Sequence, residues 1–510
     1  MFSRSALSEG LTPKNRVFTF GAPVHGLNAK SPLVDMDPLS CSVLENWNVF
    51  PDRVEVRPGA LDWMTGFTQP VNGLWTWDGP SSSKMFATCS NGVFDATTAG
   101  AVGAAVAAIT NGKTVGVNIT TGGGSFLMMV NGTDNLQMYD GAVWTAPAAF
   151  GGLNTNTVIN IEVYKQRVFM LQNASMNLWY LPVNSVAGAA TAYPLGAIFR
   201  RGGTLTAIGT WSLDAGVGPD DMLAVASSQG EIAVFSGTDP SAAATWALRG
   251  VYYVGKPLGS KAFYKYGGDL LYLSETGIYP MSRVLQTDVI DRSVSVTDNI
   301  QADYSALVAL YSANFGWSMV FQPSVPLLVV NVPGPTDGRQ FVMNTQSRAW
   351  STYSGWVANC WTRLGTSVFY GGSNKVVQAM TGYSDFNTNI RATLLQAYTT
   401  MGYSRTKHVR YLKPLFASNN VFDYSLGISN NFEASFAINS ISSGSLAASL
   451  WGTGVWGTSF WTGAAQVTND WRGVPDKYAK HKALYVQVAS RVARPALESC
   501  DALYVPAGTF

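Results

Sequence analysis

The sequence predicts an all-β chain. A β-propeller-like middle domain is expected, with a β-sandwich or barrel domain formed by the C-terminal strands together with the N-terminal segment. Three observations predict this. The 510 residues include 51 Gly and 23 Pro, which punctuate a chain with turns, and 12% are Phe, Trp or Tyr, which favour strands. A turn-plus-strand unit recurs through the middle of the chain at a spacing close to that of a propeller blade. After Ser384 that rhythm stops and strands of another spacing follow. The expected divisions are an N-terminal arm with its first strands at 1–65, a propeller-like domain at 66–384 and a sandwich domain at 385–510. A chain of this length exceeds what one hydrophobic core holds.

Residues 1–33 are broken by Gly, Pro and Ser with little periodicity, and read as an extended arm. The stretch Val34 to Gly59 follows. Asp37-Pro38 and Phe50-Pro51-Asp52 are turn signals, because Pro fixes φ and pushes the residue before it to extended geometry. Val54-Glu55-Val56-Arg57 alternates apolar and charged, as a half-buried strand does, and Pro58-Gly59 ends it. Trp47 and Phe50 are the expected anchors of this stretch. On the residues alone it is a strand between two turns.

The repeat follows. Its unit is a turn, a short apolar strand and often a Trp or Tyr, as in Asn72-Gly73-Leu74-Trp75 and Asn91-Gly92-Val93-Phe94. Counted from Asn91, the units start at 91, 135, 177, 230, 277, 339 and 375. Each from 135 on is preceded by an apolar run, such as Phe126–Val130, Arg167–Leu171 or Leu327–Asn331. Each pair reads as a hairpin whose first strand is buried on both faces, as in stacked blades. A sandwich of irregular hairpins fits the same pattern. Around 288–311 apolar residues recur at helical spacing, with Asp298 or Asn299 as candidate caps, so one short helix is expected there.

Past residue 384, strands are expected at Ile390–Tyr398, Val409–Phe416, Phe422–Ser429, Leu484–Ala489 and Leu503–Val505. Between them, Leu450 to Gly463 places Trp451, Trp456 and Trp461 in a Gly-rich loop. Such a loop either covers its own sandwich or binds a neighbouring subunit, where Trp is a frequent hot spot. The three Trp are the candidate subunit interface.

The string Met36 to Ala60, MDPLSCSVLENWNVFPDRVEVRPGA, resembles the N-terminal signature of the tail tube or nozzle proteins of short-tailed bacteriophages, the tail tubular protein B-like family. Asn46-Trp47 and Arg57-Pro58-Gly59 carry most of the likeness. Cys41 and the Asn48-Val49 run depart from the usual pattern. The resemblance implies a structural virion protein of the phage tail, made in the bacterial host cytoplasm. It implies a homo-oligomeric ring of about six copies. Its partners would be adaptor or head-to-tail proteins and tail fibres or a spike, with duplex DNA passing non-specifically through the lumen.

Enzyme motifs are missing. There is no P-loop, no Gly-x-Gly-x-x-Gly opening a helix and no Gly-x-Ser-x-Gly elbow; Gly122-Gly123-Gly124 reads as a turn. The carboxylates Asp140, Asp214, Asp220, Asp221, Asp269 and Glu275 are scattered, and Asp220-Asp221 reads as a solvated loop. Cys41, Cys89, Cys360 and Cys500 and three His show no metal-ligand spacing; buried free thiols are expected, and no metal or cofactor. A net charge of +2 gives no global case for nucleic-acid binding. The basic clusters are Arg200-Arg201 and Arg405 to Arg410; the second could touch phosphates, but reads rather as solvated protection of a strand edge. No membrane-spanning run or signal peptide pattern is visible, so a Sec route is not expected. Only 13% of residues are charged, against about 25% in average chains, so much surface should be hidden against partners. The leading expectation is a non-enzymatic tail nozzle subunit. The alternatives are a propeller glycan hydrolase, needing paired carboxylates in the channel, and a carbohydrate-binding tail adhesin.

Overall fold

The computed structural model describes residues 15–507 apart from 215–218, 287–291, 419, 434, 436 and 443–465. The chain divides into two compact units. Unit one holds residues 1–59, 349–352 and 383–510; unit two holds 60–348 and 353–382.

Unit two is a propeller of seven blades, each built on at least three consecutive antiparallel strands. Their innermost strands are Gly73–Asp78, Val115–Thr121, Val158–Tyr164, Leu205–Asp214, Phe263–Tyr266, Ser318–Gln322 and Cys360–Leu364. Each of these neighbours the next, and the seventh neighbours the first, so the ring closes. The repeat units counted from Asn91 are the third strands of the blades, Gly92–Asp95, Gln137–Tyr139, Asn177–Tyr180, Glu231–Gly237, Gly277–Pro280, Arg339–Asn344 and Lys375–Ala379, whereas the unit at Asn72 is the innermost strand of the first blade. The apolar runs before them are the second strands. Leu327–Val332 is buried along its whole length and Arg167–Gln172 along all but its last residue. The cause is stacking: each blade faces one neighbour on each side.

Apolar clusters fill the spaces between blades. Met128, Val130, Val168 and Met170 fill that between blades two and three, and Phe169, Leu171, Leu223 and Phe235 that between three and four. There Trp246 stacks on Phe235 at 5.3 Å and on Phe169 at 6.0 Å. Backbones approach closely at the start of blade one. A Cβ on Gly73 would lie 2.3 Å from the hydroxyls of Thr88 and Thr114, which bond each other at 2.9 Å. Only Gly fits that position.

Blade seven is completed from the other end of the unit's sequence. Ala60–Thr65 pairs antiparallel with Lys375–Ala379, and Lys375 donates to Asp62 at 2.7 Å. The boundary expected after residue 65 therefore falls after Gly59, because the backbone of 60–65 supplies the last blade's outer strand. The widest gap between repeat units, from Gly277 to Arg339, contains the helix Gln301–Tyr311. Its cap is Ile300, with no side-chain hydrogen bond, rather than Asp298 or Asn299, which form a preceding 3-10 turn. Tyr304 pins the helix by donating to Ser274 O at 2.5 Å.

Unit one is a sandwich. In one sheet Ala496–Pro506 pairs with Arg16–Gly21, with Lys407–Ser418 and with Val54–Val56. In the other, Ser40–Glu45, Ile390–Gln396, Lys482–Ser490, Asp423–Asn430 and Ile438–Ser442 follow in order. Lys482–Ser490 alternates buried and half-buried residues, as a strand with one face on a core does. Phe416 of the first sheet meets Tyr424 of the second at 5.3 Å. The N-terminal strands and the C-terminal strands thus share one core.

Candidate functional site

Two places gather polar chemistry inside the protein, one in each unit. The first is built by the signature stretch. Asn46 sits at φ 62, a left-handed conformation that Asn tolerates better than most residues. This turns its side chain between two strands. Its amide donates to Arg391 O at 2.8 Å, and its Oδ1 accepts from Arg57 Nε at 2.8 Å. The Arg57 side chain is 1% exposed. Nη1 donates to Asp385 Oδ1 at 3.0 Å and to Pro58 O at 3.0 Å, and Nη2 donates to Asp385 Oδ2 at 2.6 Å. This fork-on-carboxylate geometry satisfies a buried guanidinium. A Cβ on Gly59 would lie 2.0 Å from Ser384 O, so the chain passes only with Gly there. Trp47 is fully buried, while Phe50 is half-buried with the Arg53 guanidinium over its ring at 5.0 Å. The residues that carry the family likeness are therefore a lock inside unit one, with no open face for a ligand.

Unit one holds a second buried pair that the sequence reading missed. Lys482 and Asp476 side chains are both fully buried and meet at 2.6 Å, and Lys482 also donates to Asn430 Oδ1 at 2.6 Å. Burial is the main force pulling the Lys482 ammonium down, with Asp476 opposing it. Nearby Lys407 is fully buried and donates to Lys480 O at 2.6 Å. Burial first, then the charges of Lys482 and Lys480, push it down to about 8. In the stretch Arg405 to Arg410, Arg405 and Arg410 are exposed as expected, but Lys407 is buried and the strand is not an edge. Lys407–Ser418 has partners on both sides, Ala496–Pro506 on one and Gln466–Thr468 with Arg472–Gly473 on the other.

The second place is the axis of the propeller. The innermost strands of all seven blades line a cavity of about 1090 Å³. Asp78, Glu162, Lys261, Lys265 and Arg363 face it, among Trp75, Phe263, Tyr264 and Phe321. Glu162 keeps part of its surface open but sits deep among the packed lining of the cavity. Burial therefore raises its carboxyl to about 7, against the opposing pull of Lys265. Lys261 lies 4.5 Å over the Trp75 ring, and burial lowers its ammonium. Tyr264 accepts from the Phe321 N–H at 2.8 Å. Asn160 is spent on the wall, donating to Thr206 O and Ser260 O at 3.2 and 2.8 Å. No motif marks these residues: each is a single polar side chain on an otherwise ordinary strand.

Among the described side chains, the carboxylates singled out from the sequence do not converge on the axial cavity. Asp140 accepts the N–H groups of Ala142 and Val143 in its own turn, which lowers its pKa. Asp269 accepts from the Ser282 hydroxyl, at 2.5 Å. Neither lines the axial cavity. Asp220 and Asp221 lie on the strand Pro219–Ser227, not in a loop, and Asp221 accepts from the Ser212 hydroxyl at 2.5 Å. The Arg200 and Arg201 N–H groups donate to Glu231, and Arg201 stacks on Tyr253 at 3.6 Å. All four Cys are buried free thiols, and among the described residues no group of His, Cys, Asp and Glu is placed to hold a metal ion. Trp451, Trp456 and Trp461 lie outside the described residues. No described helix is long and apolar enough to cross a membrane.

No family model matches the sequence, and no curated protein matches it. Among solved structures, the chain is similar to BBS1N in complex with ARL6DN at 10% identity and a TM-score of 0.40, covering 65% of this chain and 100% of that one. It is similar to YCF48 bound to D1 peptide at 9% identity and 0.37, covering 64% and 97%. It is also similar to the beta-propeller domain of Cps50 (Swd1) from Myceliophteria thermophila at 10% and 0.37, covering 58% and 93%.

Proposed function

We propose that this chain is a structural subunit of a bacteriophage tail nozzle, assembling into a ring through which DNA leaves. The observation that carries the reading is the signature stretch 34–59. Three of the residues on which the likeness rests, Asn46, Arg57 and Gly59, are tied into unit one through the bonds to Asp385 and Arg391 and the close approach to Ser384. A charged fraction of 13% supports it further, since a charge-poor surface gains by assembly. The test is electron microscopy of the purified protein, alone and with its adaptor ring. Rings with countable rotational symmetry are expected. Isolated monomers under both conditions would overturn the proposal.

A further inference from the structure

We infer that the axial cavity of the propeller binds a sugar acid, a polyhydroxylated small molecule carrying one carboxylate. This site is independent of the nozzle reading, because it lies wholly within unit two and needs no second subunit. The cavity, about 1090 Å³, has the size of a ligand site rather than of a packing defect.

Charge decides the class of ligand. Lys265 and Arg363, on the inner strands of blades five and seven, are exposed at the channel, and among the described residues neither head group makes an ion pair. Arg363 acts on Tyr264 and Lys265 acts on Glu162, so both charges reach the lining. Asp78 is the opposing carboxylate, and it already accepts from the Ser83 hydroxyl at 2.9 Å. Glu162 is held close to neutral, so below about pH 7 it donates a hydrogen bond instead of repelling an anion. Lys261 adds a third cation, weakened by burial.

The remaining chemistry separates a carboxylate from a phosphate. A guanidinium fork matches a planar carboxylate. Phosphate sites are typically built on helix N-termini or nests of backbone N–H groups, and the lining here is strands and hairpin turns. A second negative charge would also face Asp78. The Phe321 ring lines the cavity as an apolar face, Thr362 brings a hydroxyl, and the Ser83 and Ser318 oxygens, whose protons go to Asp78 and Gly316 O, are left to accept.

The experiment is calorimetric titration of the full chain with glucuronate, glucose and inorganic phosphate in turn. Glucuronate binds, and glucose and phosphate bind at least about tenfold more weakly. Arg363→Gln and Lys265→Gln each weaken glucuronate by about tenfold with an unchanged melting temperature, since both side chains are exposed. Raising pH from about 6 to about 8 weakens wild-type binding by ionising Glu162, and Glu162→Gln reduces that dependence to the share left by Lys261, whose ammonium burial lowers. Glucose binding as well as glucuronate, phosphate binding as well or better, or no heat with glucuronate at about 10 mM would each overturn the assignment. So would either charge variant binding like wild type.

Discussion

Removing the Asp385 carboxylate leaves a guanidinium buried in unit one without its counterion. The Arg57 side chain is 1% exposed and that of Asp385 12%. Asp385→Ala deletes two charge-assisted bonds, at 3.0 and 2.6 Å, and leaves those to Asn46 Oδ1 and Pro58 O. Breaking a buried pair by removing one partner costs about 3–5 kcal/mol. The acceptors that remain, Asn46 Oδ1 and Pro58 O among them, and the solvent that can enter where Asp385 was, place the loss at the low end, about 3 kcal/mol. For a unit of this size that lowers the melting temperature by roughly 6–12 °C. Urea titration followed by circular dichroism measures the loss directly. The double variant Arg57→Met with Asp385→Leu removes both charges and should recover most of it, to within about 1 kcal/mol of wild type. A loss under about 1 kcal/mol in the single variant, or a double variant as unstable as the single, refutes the reasoning.

Three further outcomes are expected. Trp47→Ala should lose about 3–5 kcal/mol, because the indole is fully buried; an unchanged urea midpoint contradicts it. Glu162 has a folded pKa of about 7 against 4.5 for the free carboxyl, so folded protein keeps a proton that unfolded chain has released. The stability this contributes is present below about pH 4.5 and is lost as pH rises through 7, so Glu162→Gln should gain about 1–3 kcal/mol over wild type by pH 7.5. A difference between the two proteins that does not vary with pH would rule this out. Trp456→Ala should abolish assembly in sedimentation while leaving monomer melting intact, since an interface Trp is worth about 2 kcal/mol or more; lowered melting with intact assembly assigns the loop to the fold.

The blades were legible where local rules act. A third strand such as Gly277–Pro280 announces itself through a turn Gly and an apolar run, and its second strand through continuous burial. The inner strands were weaker signals, because the channel face mixes charge with apolar residues: Glu162 interrupts Val158–Tyr164, and Phe263–Tyr266 carries Lys265. Long-range pairings left no local trace. Arg57 meets Asp385 across 328 residues, so the sequence shows an ordinary strand Arg and an ordinary loop Asp. The channel fails for the same reason. Glu162, Lys265 and Arg363 come from three different blades, and nothing in their immediate neighbours tells them from surface charges.

The outer strand of blade seven sets a clock on biosynthesis. Asp62 and Lys375 are 313 residues apart, so the strand Ala60–Thr65 leaves the ribosome long before its partner exists. At about 5–20 residues per second the interval is roughly 15–60 s. Throughout it, the nascent chain carries at one end a strand whose Lys375–Ala379 side is open, with Gly100–Ala101 paired only at Met64–Thr65, and at the other a growing stack of blades with an open flank. Exposed strand flanks of this kind are where neighbouring nascent chains pair wrongly. Yield of folded protein should therefore depend on expression rate and on chaperone supply more than on the stability of the finished ring.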